Sequence, residues 1–175
     1  MFGMDSLNED ISNAYIIFGS YSNVEDRLEW QKSLATFINE KLKQGTPVLG
    51  ICFGHQLMAD FYGAKIVRNK NSDEYQGIRK LKFKNKEVTF FVAHSFQVQD
   101  LPSSLVTLAS TKECSNEIIK HRELPFIGIQ GHPEASQYFL DTTLKDTALT
   151  NMEVHTASSD GMKFIENFLN EYSLL

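Results

Sequence analysis

The sequence predicts an α/β domain over residues 1–175, with a mostly parallel sheet, helices on both faces and an antiparallel β excursion. Three observations predict it. The chain starts with two short apolar runs, each followed by an amphipathic stretch, which is a strand–helix–strand–helix order. Its middle breaks into short apolar segments separated by polar loops, too brief for helices. And one pattern occurs twice, Thr46-Pro47-Val48-Leu49-Gly50-Ile51 and Leu124-Pro125-Phe126-Ile127-Gly128-Ile129. Both copies read as central parallel strands opened by proline.

The elements follow in order. Ala14 to Phe18 is apolar and runs into Gly19-Ser20, as a buried strand entering a turn does. From Glu25 to Lys43, Trp30, Leu34, Phe37, Ile38 and Leu42 recur at helical spacing, and Gly45 follows as a stop. Pro47 to Ile51 is the second strand. A helix from about Gly54 to Tyr62 turns Leu57, Met58 and Phe61 inward and ends before Gly63. Residues 64–68, 78–83 and 87–92 read as short strands, as do Leu105 to Ala109 and Asn116 to Lys120. Pro125 to Ile129 is the last strand. A final helix is expected from about Asp160 to Tyr172, capped by Ser159, with Met162, Ile165, Phe168, Leu169 and Tyr172 on its apolar face.

Composition narrows the function. The chain has 175 residues, 17 basic against 22 acidic, a formal net charge of -5 and 42% hydrophobic residues. A chain of this size buries roughly 70% of its unfolded surface and needs no metal or disulfide staple. The acidic balance, with no Lys/Arg block, argues against a nucleic-acid partner. No run approaches the ~18 apolar residues of a membrane span. The first ten residues, MFGMDSLNED, lack the basic start and apolar core of a signal peptide. Two cysteines suit a reducing cytoplasm, where the protein is expected. Cys114 lies in a polar stretch and reads as incidental. No Cys/His spacing suggests a metal site, and no cofactor is implied.

Cys52 is different. Gly50-Ile51-Cys52-Phe53-Gly54 fits G-x-C-x-G, a thiol version of the nucleophile elbow. The small flanking residues allow a sharp strand-to-helix turn. The positive end of the following helix favours the thiolate, and the Phe53 N–H is placed to hold an oxyanion. A buried structural cysteine in a Gly-flanked turn would fit these five residues too. The second copy of the repeated pattern delivers Gln130, Gly131, His132, Pro133 and Glu134. In an extended segment His132 and Glu134 share a face, so the carboxylate can orient the imidazole of a thiol's base. Alone, His-Pro-Glu could equally be a loop histidine beside a solvated glutamate. The two motifs at the ends of two similar strands support each other, because sites in open α/β sheets form beyond the strands' carboxyl ends.

With these residues the chain resembles the class I glutamine amidotransferases, most of all the stand-alone, GMP-synthase-like members. Pro47 to Ala59 is similar to the family's strand–elbow–helix, and Gly128 to Glu134 to its triad segment. The resemblance covers roughly residues 14–135. It implies a flavodoxin-like fold, a Cys52-His132-Glu134 triad and hydrolysis of the glutamine side-chain amide through a γ-glutamyl thioester. It also implies an oxyanion hole at Gly19, Ser20 and Phe53, with substrate contacts from Gln56 and from the backbone of His94, Ser95 and Phe96. Where the family carries a Gly-Gly-Pro-Gly-like turn, this chain has Gly19-Ser20-Tyr21-Ser22. Gly131 replaces a bulky aromatic residue, which is expected to widen the pocket. Glu74 to Gly77 is similar to a segment near the glutamine site, although Asp60, Asp73, Glu74 and Tyr75 read as solvated or turn residues. His55 is expected to pack or cap the elbow helix, His94 to orient its loop, and His121 and His155 to lie at the surface.

The family's sheet begins with a strand–helix unit that the polar residues Met1 to Asn13 cannot form. The chain is therefore expected to be short at its amino end, with sheet surface free for self-association. The expected partners are glutamine or a γ-glutamyl compound and a synthetase that accepts the ammonia. Three rivals stand beside this reading. One is a γ-glutamyl peptidase or hydrolase of the same superfamily. Another is an α/β-hydrolase with a cysteine elbow, disfavoured because the histidine here precedes its acid. The last is a non-catalytic, regulatory homologue.

Overall fold

The computed structural model describes residues 12–70 and 74–175. The expectations for the amino-terminal segment and for Asp73 fall outside them in whole or in part. The elements are β1 (Tyr15–Ile17), a 3-10 turn (Val24–Asp26), α1 (Glu29–Lys43), β2 (Val48–Ile51), α2 (Phe53–Phe61), β3 (Lys65–Arg68), β4 (Tyr75–Phe83), β5 (Lys86–His94), β6 (Phe96–Gln99), β7 (Leu105–Ala109), β8 (Ile118–His121), β9 (Phe126–Ile129), α3 (Gln137–Thr143) and α4 (Asn151–Glu171).

Five strands form the central sheet in the order β1-β2-β9-β8-β7. β1, β2 and β9 are mutually parallel, β8 is antiparallel to β9, and β7 is antiparallel to β8. Only β8 runs against the rest. The repeated pattern accounts for the centre of the sheet. Its two copies pair residue for residue, Val48 with Phe126, Leu49 with Ile127, Gly50 with Gly128 and Ile51 with Ile129. Both strands therefore end at the same level and deliver Cys52 and Gln130 side by side.

Alternation divides the core. Val48 and Phe126 face Ala35, Ile38 and Leu42 of α1 and Leu57 and Met58 of α2. Leu49, Ile51 and Ile129 face the other way, toward Phe164 and Phe168 of α4 and Phe90 of β5. The antiparallel excursion comprises the β4–β5 hairpin and the β3–β6 pair.

Three helices differ from expectation, α2 only in that Phe61 is exposed rather than turned inward. α1 starts at Glu29, because Arg27 takes a left-handed conformation (φ +45°) that ends the preceding 3-10 turn. Its buried stripe is Gln31, Ala35, Ile38, Asn39 and Leu42, while Trp30 stays half exposed and stacks on Phe53 at 5.6 Å. α4 starts at Asn151, well before the expected Asp160. Its cap is Thr150, not Ser159: the Thr150 Oγ1 accepts from the Glu153 N–H while the Glu153 carboxylate accepts from Thr150 N–H. That reciprocal pair is a capping box. Met162 is exposed, and Phe164 replaces it in the core. α3 and β6 went unpredicted.

Gly161 explains why α4 can lie where it does. A Cβ there would sit 2.4 Å from the Pro133 carbonyl oxygen. The helix thus rests directly on the backbone between His132 and Glu134. Asp160 also accepts from the Thr89 N–H at 2.9 Å, tying the same turn of α4 to β5. Crowding at Gly161 falls toward the upper end of the about 1–3 kcal/mol that overpacking costs, more than the ~1 kcal/mol a helix gains from Ala over Gly. Gly161→Ala is expected to lower the urea unfolding midpoint, and Gly161→Val to lower it further, as circular dichroism would measure.

Candidate active site

The nucleophile position is set by the backbone. Cys52 adopts φ +49° and ψ -97°, which β-carbon-bearing residues rarely hold. The turn closes because Gly50 and Gly54 leave room. A Cβ on Gly50 would stand 2.7 Å from Gly54 C, and one on Gly54 would stand 2.4 Å from Ile17 O. The second approach brings the end of β1 against the elbow. Gly19 then lies with its Cβ position 3.0 Å from His132 Cε1 and 3.7 Å from Cys52 Cβ.

The Gly19-Ser20-Tyr21-Ser22 turn holds its shape without a proline. Ser20 Oγ accepts from the Ser22 N–H at 3.0 Å. The buried Gln31 anchors the far side, donating to Asn23 O at 2.8 Å and to Ser22 Oγ at 3.3 Å, and accepting from Leu28 N–H. A polar residue inside an apolar helical stripe is the signal that marks Gln31 in the sequence.

His132 is reached from β9 and pinned by β5. Its N–H donates to Phe91 O at 2.8 Å. Beyond it the chain turns, with Ala135 N–H donating to His132 O, so the segment is not extended. The pairing survives: His132 Nδ1 and Glu134 Oε1 are 2.8 Å apart. Phe139 of α3 packs against the imidazole at 4.7 Å between ring centroids. Gly131 does not widen the pocket, in contrast to the expectation. The room its missing side chain leaves faces Phe90 Cβ and Phe91 O, at 3.0 and 3.1 Å.

Three buried histidines show what neighbours do. Burial pushes His55 down to about 3 and His94 down to about 4, so both are neutral at pH 7. Burial acts on His132 in the same direction, but Cys52 and the Glu134 carboxylate outweigh it and hold the imidazole up to about 10. His55 packs against β9, where a Cβ on Gly128 would stand 2.7 Å from its Nδ1. His94 Nδ1 donates to Phe96 O at 2.9 Å and so orients its own turn. His155 is exposed, whereas His121 is half-buried and accepts from the Glu123 and Leu124 N–H groups. Cys114 is fully buried, and burial pushes its thiol up to about 12, which makes it unreactive.

A cavity of about 490 Å³ opens here, and all ten expected site residues line it: Gly19, Ser20, Cys52, Phe53, Gln56, His94, Ser95, Phe96, His132 and Glu134. On the β6 side the carbonyls are engaged. Asn69 Nδ2 donates to His94 O at 2.6 Å, Asn69 N–H to Ser95 O at 2.8 Å, and Gln56 Nε2 to Phe96 O at 2.8 Å. Both Gln56 Nε2 protons are engaged, at Phe96 O and at Gln130 Oε1, which leaves its Oε1 as an acceptor. Glu74 also lines the cavity, beyond its solvated reading, and Tyr138, Phe139, Thr142 and Thr143 of α3 form a wall that no motif announced. Asp60 pairs with Arg27 away from this site. Among the described residues no cluster of His, Cys, Asp and Glu could hold a metal ion, and no helix is long and apolar enough to cross a membrane.

Comparison with known proteins bears on family and fold. A family model described as glutamine amidotransferase class-I matches residues 5–152. A glutamine-hydrolyzing GMP synthase subunit from Methanococcus vannielii is 39% identical over 106 residues, 56% of this chain and 56% of that protein. The protein of the same name from Pyrococcus abyssi is 31% identical over 128 residues, 69% of this chain and 66% of its own length. The chain thus spans little more than half to two thirds of these relatives. A glutamine amidotransferase crystal structure from Thermotoga maritima superposes with a TM-score of 0.67 at 22% identity, covering 90% of this chain and 75% of that one. One from Methylobacillus flagellatus gives 0.69 at 17%, covering 93% and 75%. At these identities the two structures speak to the fold, which is the flavodoxin-like one.

The raised imidazole has a consequence for stability. A histidine moved from 6.5 to about 10 on folding stabilises the folded chain fully below pH 6.5 and ceases to do so as pH rises through about 10. The melting temperature is therefore expected to fall across that window. Glu134→Gln removes one of the raising charges and is expected to flatten the fall, which thermal melts of both proteins from pH 6 to 10.5 would measure.

Proposed function

This chain belongs to the glutamine amidotransferase class-I family, and from that membership and the geometry of the cavity we propose that it hydrolyses the side-chain amide of glutamine. The observation that supports the reading is the convergence of Cys52, the His132–Glu134 pair and the Gly19, Ser20 and Phe53 positions on one cavity at the end of β1, β2 and β9. The Cys52 thiolate attacks the amide carbonyl carbon, and the carbonyl oxygen takes the negative charge. The N–H groups of Gly19 or Ser20 and of Phe53 hold that oxyanion. His132, held protonated by its anionic neighbours, gives its proton to the departing nitrogen, so ammonia leaves and a γ-glutamyl thioester remains. The neutral imidazole then takes a proton from water, whose oxygen attacks the thioester carbonyl. Collapse returns the electron pair to sulfur and releases glutamate. Glu134 keeps the imidazole turned toward Cys52 throughout.

The substrate's α-carboxylate is proposed to meet the backbone of the His94-Ser95-Phe96 turn, and the Gln56 oxygen to accept from its ammonium or amide. The two relatives are named as subunits of GMP synthase. By likeness to them, a separate synthetase chain is the proposed acceptor of the ammonia. The two free thiols support the cytoplasm as the compartment.

A glutamine-like diazoketone is expected to add once to the folded chain at Cys52, read by intact mass, and to leave Cys114 untouched. Cys52→Ala is expected to abolish this labelling and lower glutaminase turnover by about 10³-fold or more. An unlabelled Cys52 in folded protein would overturn the reading. Preference for γ-glutamyl conjugates over glutamine, measured by ammonia against amine release, would favour the hydrolase alternative.

A further inference from the structure

Resting on that reading, we infer that Gln130 is a built-in hydrogen-bond donor to the Cys52 sulfur, and that Gln56 is the positioning residue that keeps the Gln130 amide turned the donating way. Gln130 is fully buried and directly follows β9, whose last residue accepts the Cys52 N–H at 2.8 Å. Its Nε2 stands 3.8 Å from Cys52 Sγ. An amide can present either end, and an oxygen turned to the sulfur would repel a thiolate. Gln56 decides between them. Its Nε2 donates to Gln130 Oε1 at 3.1 Å, so the oxygen end is taken and the nitrogen end must face Cys52.

Gln56 is itself fixed. Its second Nε2 proton goes to Phe96 O at 2.8 Å, an atom that can only accept. Reversing Gln130 would set two N–H groups against each other and an oxygen against the sulfur in a buried place, leaving both pairs unsatisfied. The relay therefore has one polarity from the β5–β6 turn to the nucleophile. Phe96 O accepts from Gln56, Gln130 accepts from Gln56, and Gln130 donates to Cys52.

The sulfur also faces an acceptor, Ala93 O at 3.9 Å, which suits the thiol. Gln130 is a side-chain donor whose protonation state never changes, unlike that of His132, and it suits the thiolate. In turnover the thiolate occurs twice, as the attacking group and as the group released when the thioester collapses. A donor fixed on the sulfur helps at both points, so its loss lowers kcat more than it raises KM. Gln130 stands inside the Gly-Ile-Gln-Gly-His-Pro-Glu segment, but the segment alone does not say which way the amide points.

The test uses the full chain and two substitutions. Gln130→Met keeps the volume without a donor. Gln130→Glu keeps the acceptor for Gln56 but puts an acceptor against the sulfur. The readouts are the rate of Cys52 alkylation by iodoacetamide against pH, and kcat and KM with glutamine. Loss of a hydrogen bond to a charged group is expected to move the midpoint of the alkylation profile upward by about one pH unit and to lower kcat about tenfold, with KM within about twofold. Gln130→Glu is expected to shift further than Gln130→Met. Unchanged profiles in folded variants overturn the inference. If the variants fail to fold, the unsubstituted chain still decides. The Gln130 side-chain amide protons, followed by NMR, are expected to shift when Cys52 is alkylated, and no shift overturns the assignment. Alkylation and NMR need no glutamine. A chain with shifted profiles but no glutaminase activity refutes the proposed function and keeps the relay, and the opposite result does the reverse.

Discussion

The whole site depends on a close approach of backbones at the Cys52 turn. A side chain on Gly50 would overlap the first turn of α2, and one on Gly54 would overlap Ile17 of β1. Without those side chains, α2 starts directly at the end of β2, and β1 lies against its first turn. The left-handed Cys52 backbone follows from that closure, since no relaxed conformation joins the two elements in so few residues. The same contact sets the place of Gly19. Cys52 and Gly19 are positioned by one packing event, not by two independent loops.

The triad loop is held from outside the sheet in a comparable way. β5 receives the His132 N–H and closes over Gly131, and α4 presses Gly161 onto the Pro133 carbonyl. The β4–β5 hairpin and the long carboxyl-terminal helix are therefore part of the site's support. Asp160 binds them to each other through Thr89. Rigid elements on three sides give the imidazole little freedom beyond the face it turns to sulfur, which is what positioned acid–base chemistry requires.

Electrostatics then separate three histidines that burial alone would treat alike. His55 and His94 lie among backbone groups and other histidines and lose their charge. His132 keeps a proton because Cys52 and the Glu134 carboxylate raise it by more than burial lowers it. The neutral His94 in turn donates from Nδ1 to Phe96 O, stabilising the turn on which Gln56 also rests. Similar burial thus yields neutral imidazoles at His55 and His94 and a protonated one at His132.

Much of this was legible in the chain because it depends on local pattern. The repeated proline-led runs announced two central parallel strands, and the structure makes them neighbours paired residue for residue. Glycines two residues either side of Cys52 announced the turn, and the i, i+2 spacing brought His132 to Glu134 even though the segment bends. α4 was misread at its start because Ala157 is the one buried residue among 151–159, too few to mark a helical stripe, while the true capping box, Thr150 with Glu153, lies upstream. α3 buries none of its residues and so left no periodic stripe to find. By itself, then, the sequence determined the two similar strands, the tight turn at Cys52 and the closeness of His132 to Glu134, each a property of neighbours along the chain. Only the tertiary structure decided that Gly131 is closed off by Phe90, that Gln31 and Asn69 brace two turns, that α3 walls the cavity and that Gln130 points its nitrogen at sulfur. Those outcomes depend on which distant residues share a small volume, and no local spacing encodes that.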